Sequence, residues 1–350
     1  MFDLFYKIKT LHHLGVKIHL HCFEYGRGEQ PELSQYCEEI HYYKRVRKIP
    51  IWLPYIVISR KNPRLIKNIL KDNYPVLLEG IHCTYYLYHG ELEGRKVLVR
   101  LHNVEYQYYQ ELAKSTNYFY KYFYYKLESR LLKKYEKIIA QNAKLIAVNK
   151  KDQLTYQHVF AAKDIEFLPV FLPFEKVRSE PGNGNFCLYH GNLSVSENEK
   201  AAIWILKNIT NHLINYKFIF AGKNPSQALK NETAKNKNVQ LIENPSEKEM
   251  SELITNAHIH LIPSFNSTGI KIKLLNALFN GRFIITNAVS VNGTTLESLC
   301  YIEEIPTGYI KRIEELQQIC FDKNELTKRK ELLENLYQNE KNAIQLMKWL

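Results

Sequence analysis

Residues 259–281 read IHLIPSFNSTGIKIKLLNALFNG. IHLIPS is a short apolar strand closed by Ser264, the next residues are polar up to Gly269, and apolar residues then recur at helical spacing to about Phe279. Strand, loop and helix in this order build sheets whose strands run parallel and whose faces are covered by helices. The helix opens with Lys271 and Lys273, although a basic first turn opposes the helix dipole. An anion held by the loop amides and the two ammonium groups would account for that charge.

The same alternation extends outward. Upstream lie FCLYHG (186–191), a helix from about Asn198, FIFAG (218–222), a helical turn, VQLIE (239–243) and a helix over Glu247–Thr255; FIITNA (283–288) follows downstream. The first half opens on an amphipathic helix ending at Gly15, then a strand over Val16–Cys22 and a helix from Asn62-Pro63 through Leu70. Strands PVLLEG (75–80), KVLVRL (96–101) and LIAVN (145–149) come next, with one long helix predicted from about Gln107 to Ala140. The whole predicts an α/β protein of two Rossmann-like halves. FEKVRSEPGNGN, just after Pro173, carries charge, proline and glycine and reads as a linker. The expected layout is 1–174, a linker at 175–185, a second domain at 186–323, and a helix over 324–350 able to cross back to the first domain.

Lys and Arg number 48 against 36 Asp and Glu, a net charge of +12, so nucleotide diphosphates, anionic membrane surfaces and nucleic acid all fit as partners. No nucleic-acid motif accompanies the charge, and nucleic acid is not expected. The six cysteines are scattered, without a Cys-x-x-Cys pair or a zinc spacing, and read as reduced core residues of a cytoplasmic protein. No apolar run approaches the ~18 to 20 residues of a membrane span, and no signal-peptide core opens the chain. Two segments keep a peripheral position on the inner face of a membrane open. One is IPIWLPYIVI, Ile49 to Ile58, between basic flanks; the other is the aromatic stretch at 118–125 beside recurring lysines. A buried connection and a helix packed on its own sheet explain them equally simply, the second more so for its buried side.

In an open α/β sheet, ligands bind beyond the carboxyl ends of the strands. Four places qualify. Gly191 and Asn192 follow one strand in a loop before a helix; alone, this is plain turn chemistry. The Ser264–Lys273 loop is the stronger anion site. His102, Asn103 and Glu105 follow KVLVRL, where a histidine can hold a sugar hydroxyl or assist a proton transfer. Glu79, Gly80 and His82 follow PVLLEG, as an acceptor wall or merely a strand-ending turn.

With these residues in place, PS-x(4)-GIKIKLLNALFNG resembles the donor-binding motif of family 4 glycosyltransferases, and RLHNVEYQYY resembles the Arg-x-His-Asn-x-Glu segment of bacterial members. The order HGNLSVSEN, FIFAGKNP, VQLIENPS and AHIHLIPS follows the same family, so the resemblance runs along nearly the whole chain. It implies a GT-B fold with parallel sheets facing across a cleft. It also implies metal-independent hexosyl transfer, usually retaining, from a nucleotide sugar to a saccharide or lipid-linked acceptor, without a cofactor, in cell-surface polysaccharide assembly. Lys271 and Lys273 would then stabilise the leaving diphosphate, and His102 would position the sugar. Gly191, Asn192, Gly222, Ser264, Thr268, Gly269, Ile270 and Asn276 would line the donor site, with Glu79, His82, Asn103 and Glu105 toward the acceptor or sugar.

Three departures stand out. Thr268 and Asn276 occupy the places of the family's paired glutamates; no basic pair follows the first strand of the second domain; and the opening strand with its glycine-rich loop is missing, through a misassigned start or a lost element. These departures leave room for a degenerate relative that binds without turnover. A nucleotide-sugar epimerase would need more cleft carboxylates than Glu79 and Glu105, and a dinucleotide-dependent dehydrogenase would need a G-x-G-x-x-G after a strand.

Overall fold

In this computed structural model, which describes every residue except Met1, Tyr25, Arg27, 48–51, Asn117 and Ser267, the chain divides into two units. The first is Met1–Pro173 with Tyr337–Leu350, the second Phe174–Leu336.

The first unit holds β1 (His19–Phe23), β2 (Glu39–Tyr43), β3 (Val76–Glu79), β4 (Val97–Leu101), β5 (Lys144–Ala147) and β6 (Ile165–Phe167). One parallel sheet was expected. The described residues instead form two, a β1–β2 pair and a sheet in the order β3-β4-β5-β6, with every pairing parallel. Alternation along the strands covers both faces of the larger sheet. Leu98 and Ile146 pack with Leu11 of the first helix and with Ala343 and Leu346 of the last. Val99, Leu101, Leu145 and Ala147 pack with Leu132, Tyr135 and Ile139.

The predicted helix from Gln107 to Ala140 is two helices, Glu105–Ser115 and Phe119–Asn142. Thr116 and Tyr118 between them are extended, at a run of Ser and Thr that favours caps over helix interiors. The start of the first of these helices is set from a distance. The buried Glu136 carboxylate accepts the Glu105 and Tyr106 amides at 2.8 and 3.0 Å and the Tyr156 hydroxyl at 2.7 Å.

The second unit holds β7 (Cys187–Asn192), β8 (Phe218–Lys223), β9 (Val239–Glu243), β10 (Ile259–Ile262), β11 (Phe283–Thr286) and β12 (Tyr301–Ile302), in the spatial order β12-β11-β10-β7-β8-β9 and all parallel. The stretch expected as a linker belongs to this unit. The Arg178 and Ser179 amides bond the Phe279 carbonyl, Gly182 pairs with Phe321, and the Gly184 amide bonds His258. The tail, predicted as one helix, is two: Lys323–Leu336 in the second unit and Asn339–Trp349 in the first. Arg329 anchors the former, its buried guanidinium bonding the Gly281 carbonyl at 2.6 Å, the Arg282 carbonyl and the Ser179 hydroxyl. Asn339 anchors the latter by bonding both the amide and the carbonyl of Leu172. Among the described residues, no helix is long and apolar enough to cross a membrane.

A buried charge network ties the first helix to β3 and β4. Asp3 accepts Arg100 Nε and Nη2, both at 3.0 Å, and the Phe171 amide at 2.6 Å, while Lys7 reaches Asp3 at 3.3 Å and Glu79 at 2.6 Å. Burial alone would raise both carboxyls. Lys7 and Arg100 outweigh it at Asp3, holding that carboxyl well below the usual range, and Lys7 with His102 outweighs it at Glu79, holding that one down to about 2. These pairs therefore contribute stability that is present above the ordinary carboxyl values and lost as pH falls toward those of the folded state. Lys7→Met leaves bare buried charge and is expected to cost about 3 kcal/mol at neutral pH. Denaturant titration as a function of pH should show that deficit narrowing as pH falls from 4.5 toward 2 and the Glu79 carboxyl, without its lysine, protonates.

Candidate functional site

The strand order of the second unit has one reversal. From β7 the chain steps outward through β8 and β9, then returns to β7's other side for β10, β11 and β12. The carboxyl ends of β7 and β10 are therefore a topological switch point, where loops diverge and leave a crevice. Two of the sequence-derived stretches converge there.

At the end of β7, Gly191 and Asn192 lead into the helix Ser196–Asn208. Gly222 on β8 is needed for its size, since a Cβ there would lie 1.8 Å from the Gly191 carbonyl oxygen. Any side chain would push the two strand ends apart. Beyond β10, Asn287 clamps Ser264 by bonding both its amide and its carbonyl. Asn266 accepts the amide and hydroxyl of Thr268 and donates to Glu197 at 2.7 Å, and Gly269 turns the loop at φ 67°. Ile270 follows, half-buried, and Lys271 caps the helix Ile272–Asn280 without a side-chain cap among the described residues. Lys271 Nζ donates to the Thr268 carbonyl at 2.7 Å.

Lys273 joins the two loops. Its ammonium donates to Asn198 Oδ1 at 3.1 Å and the Tyr189 hydroxyl at 3.3 Å and sits 4.8 Å from the centre of the Tyr189 ring. Burial, then the neighbouring Lys271, lowers it to about 8. Two cations beside a helix start, held by neutral groups with Glu197 the nearby acid, make a site for a polyanion. Asn276 stands apart from this group: its side-chain oxygen accepts from Asn280 of the same helix at 2.8 Å.

In the first unit the carboxyl ends of β3 and β4 bring the other five residues together. His102 Nε2 lies 3.0 Å from Glu79 Oε2, so the network of Lys7, Asp3 and Arg100 ends on a half-exposed imidazole. Burial pushes the Glu105 carboxyl up to about 7 against a hydrogen bond from Asn103. His82 folds its ring over Gly80, where φ is 97° and a Cβ would meet the ring at 2.5 Å. Burial, then the charge of Arg60, lowers His82 to about 3. Asp3, Glu79 and His102 offer ligand atoms within 4.8 Å of one another, the make-up of a cation site. Lys7 and Arg100 already neutralise both carboxylates, however, and a metal ion would have to displace an ammonium or a guanidinium.

Sequence reading passed over four residues of these sites. Lys7 lay in an unremarkable amphipathic helix, and Arg60 read as a basic flank although its charge acts on His82 and Glu105. Asn198 marked only a helix start. His190, beside Gly191, is buried with neither ring nitrogen hydrogen-bonded, and burial, then the Lys273 charge, keeps it neutral. Its only signal was a polar residue at the end of an apolar strand.

Residues 184–318 match the family model for glycosyl transferases group 1. A protein of 44.6 kDa in the cps region of Klebsiella pneumoniae is 27% identical over 291 residues, which cover 77% of this chain and 73% of that protein. TarM superposes with a TM-score of 0.60 at 11% identity, over 84% of this chain and 60% of its own. The pneumococcal O-GlcNAc transferase GtfA, solved with UDP and GlcNAc, superposes with a TM-score of 0.53 at 14% identity, over 83% of this chain and 58% of its own. The chain thus spans about three-fifths of the length of these two structures, which speak to the fold alone. The chain has the GT-B fold of two Rossmann-like domains and resembles the group 1 glycosyltransferases, a likeness that the family model carries in the second unit.

Proposed function

We propose that the chain is a glycosyltransferase moving a hexosyl group from a nucleoside diphosphate sugar to a saccharide or lipid-linked acceptor. Transfer proceeds with retention and without a metal ion, in the assembly of a cell-surface polysaccharide. The observation that carries the reading is the convergence of Lys273, Asn198 and Tyr189 at the switch point, with Lys271 in the adjoining loop. As the sugar–phosphate bond breaks, negative charge grows on the diphosphate, and these cations and the loop amides stabilise it. In the first unit, Glu79 takes the Nε2 proton of His102 as a hydrogen bond, fixing the ring and leaving Nδ1 for a sugar hydroxyl. The group 1 match supports the reaction class, UDP held by the pneumococcal transferase supports a nucleotide donor, and the cps-region relative supports the polysaccharide setting.

Calorimetric titration with UDP, GDP and their sugar conjugates tests the donor site. Lys273, at about 8, is mostly charged at pH 7 and mostly neutral at pH 9, so affinity for the accepted nucleotide should fall as pH rises across that interval. The loss is on the order of tenfold. Lys273→Met should bind weakly throughout and lose most of that slope. No binding by any nucleotide would instead favour a non-catalytic GT-B relative, a reading that the internal Asn276–Asn280 bond supports.

Steady-state transfer from the accepted donor tests the other unit. His102→Ala should lower kcat by about a hundredfold. Glu79→Gln, which keeps the shape but not the charge, should lower it by about tenfold. Nucleotide affinity should be unchanged in both; a loss of affinity would move these residues out of the sugar-positioning role.

A further inference from the structure

The first turns of the Phe119–Asn142 helix leave large apolar surface in water. Phe119 is 78% exposed, Tyr120 67%, Tyr118 58%, Phe123 53% and Leu127 48%. Phe119, Phe123 and Leu127 repeat at every fourth residue and so form one stripe, with the first two rings in edge-to-face contact at 4.5 Å. The helix buries a different stripe, Leu132, Tyr135 and Ile139, against its own sheet. Trp52, 75% exposed, belongs to a neighbouring segment held against this helix, where the Ile56 amide donates to Glu128 at 3.0 Å. Leaving side chains of this size in water forgoes the stabilisation that burying them would give. Several such residues on one helix make a patch that calls for a partner.

Charge selects the partner. Residues 116–127 contain Lys121 and Lys126 and no acidic residue; the first carboxylate after them, Glu128, is buried and engaged. Lys121 lies 4.6 Å from the centre of the Tyr118 ring and Lys126 5.0 Å from that of Tyr122, which keeps the ammonium groups level with the aromatic rim. Arg45 sits 5.7 Å from the Tyr55 ring. Apolar side chains that enter the acyl boundary, Tyr and Trp at headgroup depth and the Lys121 and Lys126 ammonium groups at the rim, facing lipid phosphate, are the chemistry of a bilayer interface. We infer that the exposed aromatic stripe of this helix docks the first unit onto an anionic membrane surface. Docking is independent of the transferase reading, because it requires neither nucleotide nor turnover.

The test is co-sedimentation of the full chain with vesicles of phosphatidylcholine, with and without phosphatidylglycerol, beside the double variant Phe119→Ser/Phe123→Ser. Ile214→Ser, which removes an equally exposed apolar side chain in the second unit, is the control. The chain should bind the anionic vesicles, and binding should weaken by about tenfold or more without phosphatidylglycerol, in high salt and in the double variant. Ile214→Ser should bind like the parent. A circular dichroism spectrum and nucleotide affinity unchanged in the double variant would show that the surface, not the fold, was altered. The inference is overturned if the parent ignores anionic vesicles, or if the double variant binds them equally well. It is overturned as well if sedimentation velocity shows a dimer of this chain that the double variant abolishes, since the stripe would then be covered by a second copy.

Discussion

The arrangement of the first unit depends on four charges, three of them buried and Glu79 partly so, that cannot be separated. Asp3 and Glu79 are carboxylates with little access to water, and each is tolerable only because Lys7 or Arg100 lies within 3.0 Å of it. The four residues come from the first helix, β3 and β4, so satisfying the charges fixes how these elements meet. The network is not closed on itself, since the second oxygen of Glu79 is committed to His102. A constraint that originates in the core is thereby delivered to the His102 imidazole at the strand mouth.

The second unit reaches a comparable result with neutral groups. Its sheet brings β7 and β8 so close that glycine is required where the Gly191 carbonyl faces Gly222, and the reversal of strand order opens the sheet's end beside that contact. Asn287, Asn266 and Asn198 tie the surrounding loops by amide hydrogen bonds, leaving positive charge dominant. Thr268 is folded into the loop and Asn276 is bonded within its helix, both as neutral groups.

Much of this was legible in the sequence because parallel strands buried on both faces appear as short apolar runs, and the residues after them are the ones a ligand meets. Lys271, Lys273, His102 and Glu79 were singled out from their places after strands, and the structure sets His102 against Glu79 and Lys273 against Asn198. The strands β2 and β6 escaped notice because EIHYY and IEF are too short and too polar to stand out. The break near Thr116 escaped because aromatic and charged residues continue the helical period on both sides of it. The roles of Lys7 and Asn198 depend on partners 72 and 75 residues away, Glu79 and Lys273, a relation that no local pattern encodes. The expected linker failed for a related reason, since proline, glycine and charge mark irregular backbone whether or not that backbone is packed.

The first unit is discontinuous, with Ala343 and Leu346 fully buried against Leu98 and Ile146, and Asn339 bonded to Leu172. Domains ordinarily fold as they are made, the N-terminal one first. Here residues 1–173 leave the ribosome with one face of their sheet only partly covered, by the first helix, and the rest of that face stays open while the whole of the second unit is synthesised. The contiguous second unit can complete its core first, so the order of assembly runs against the order of translation.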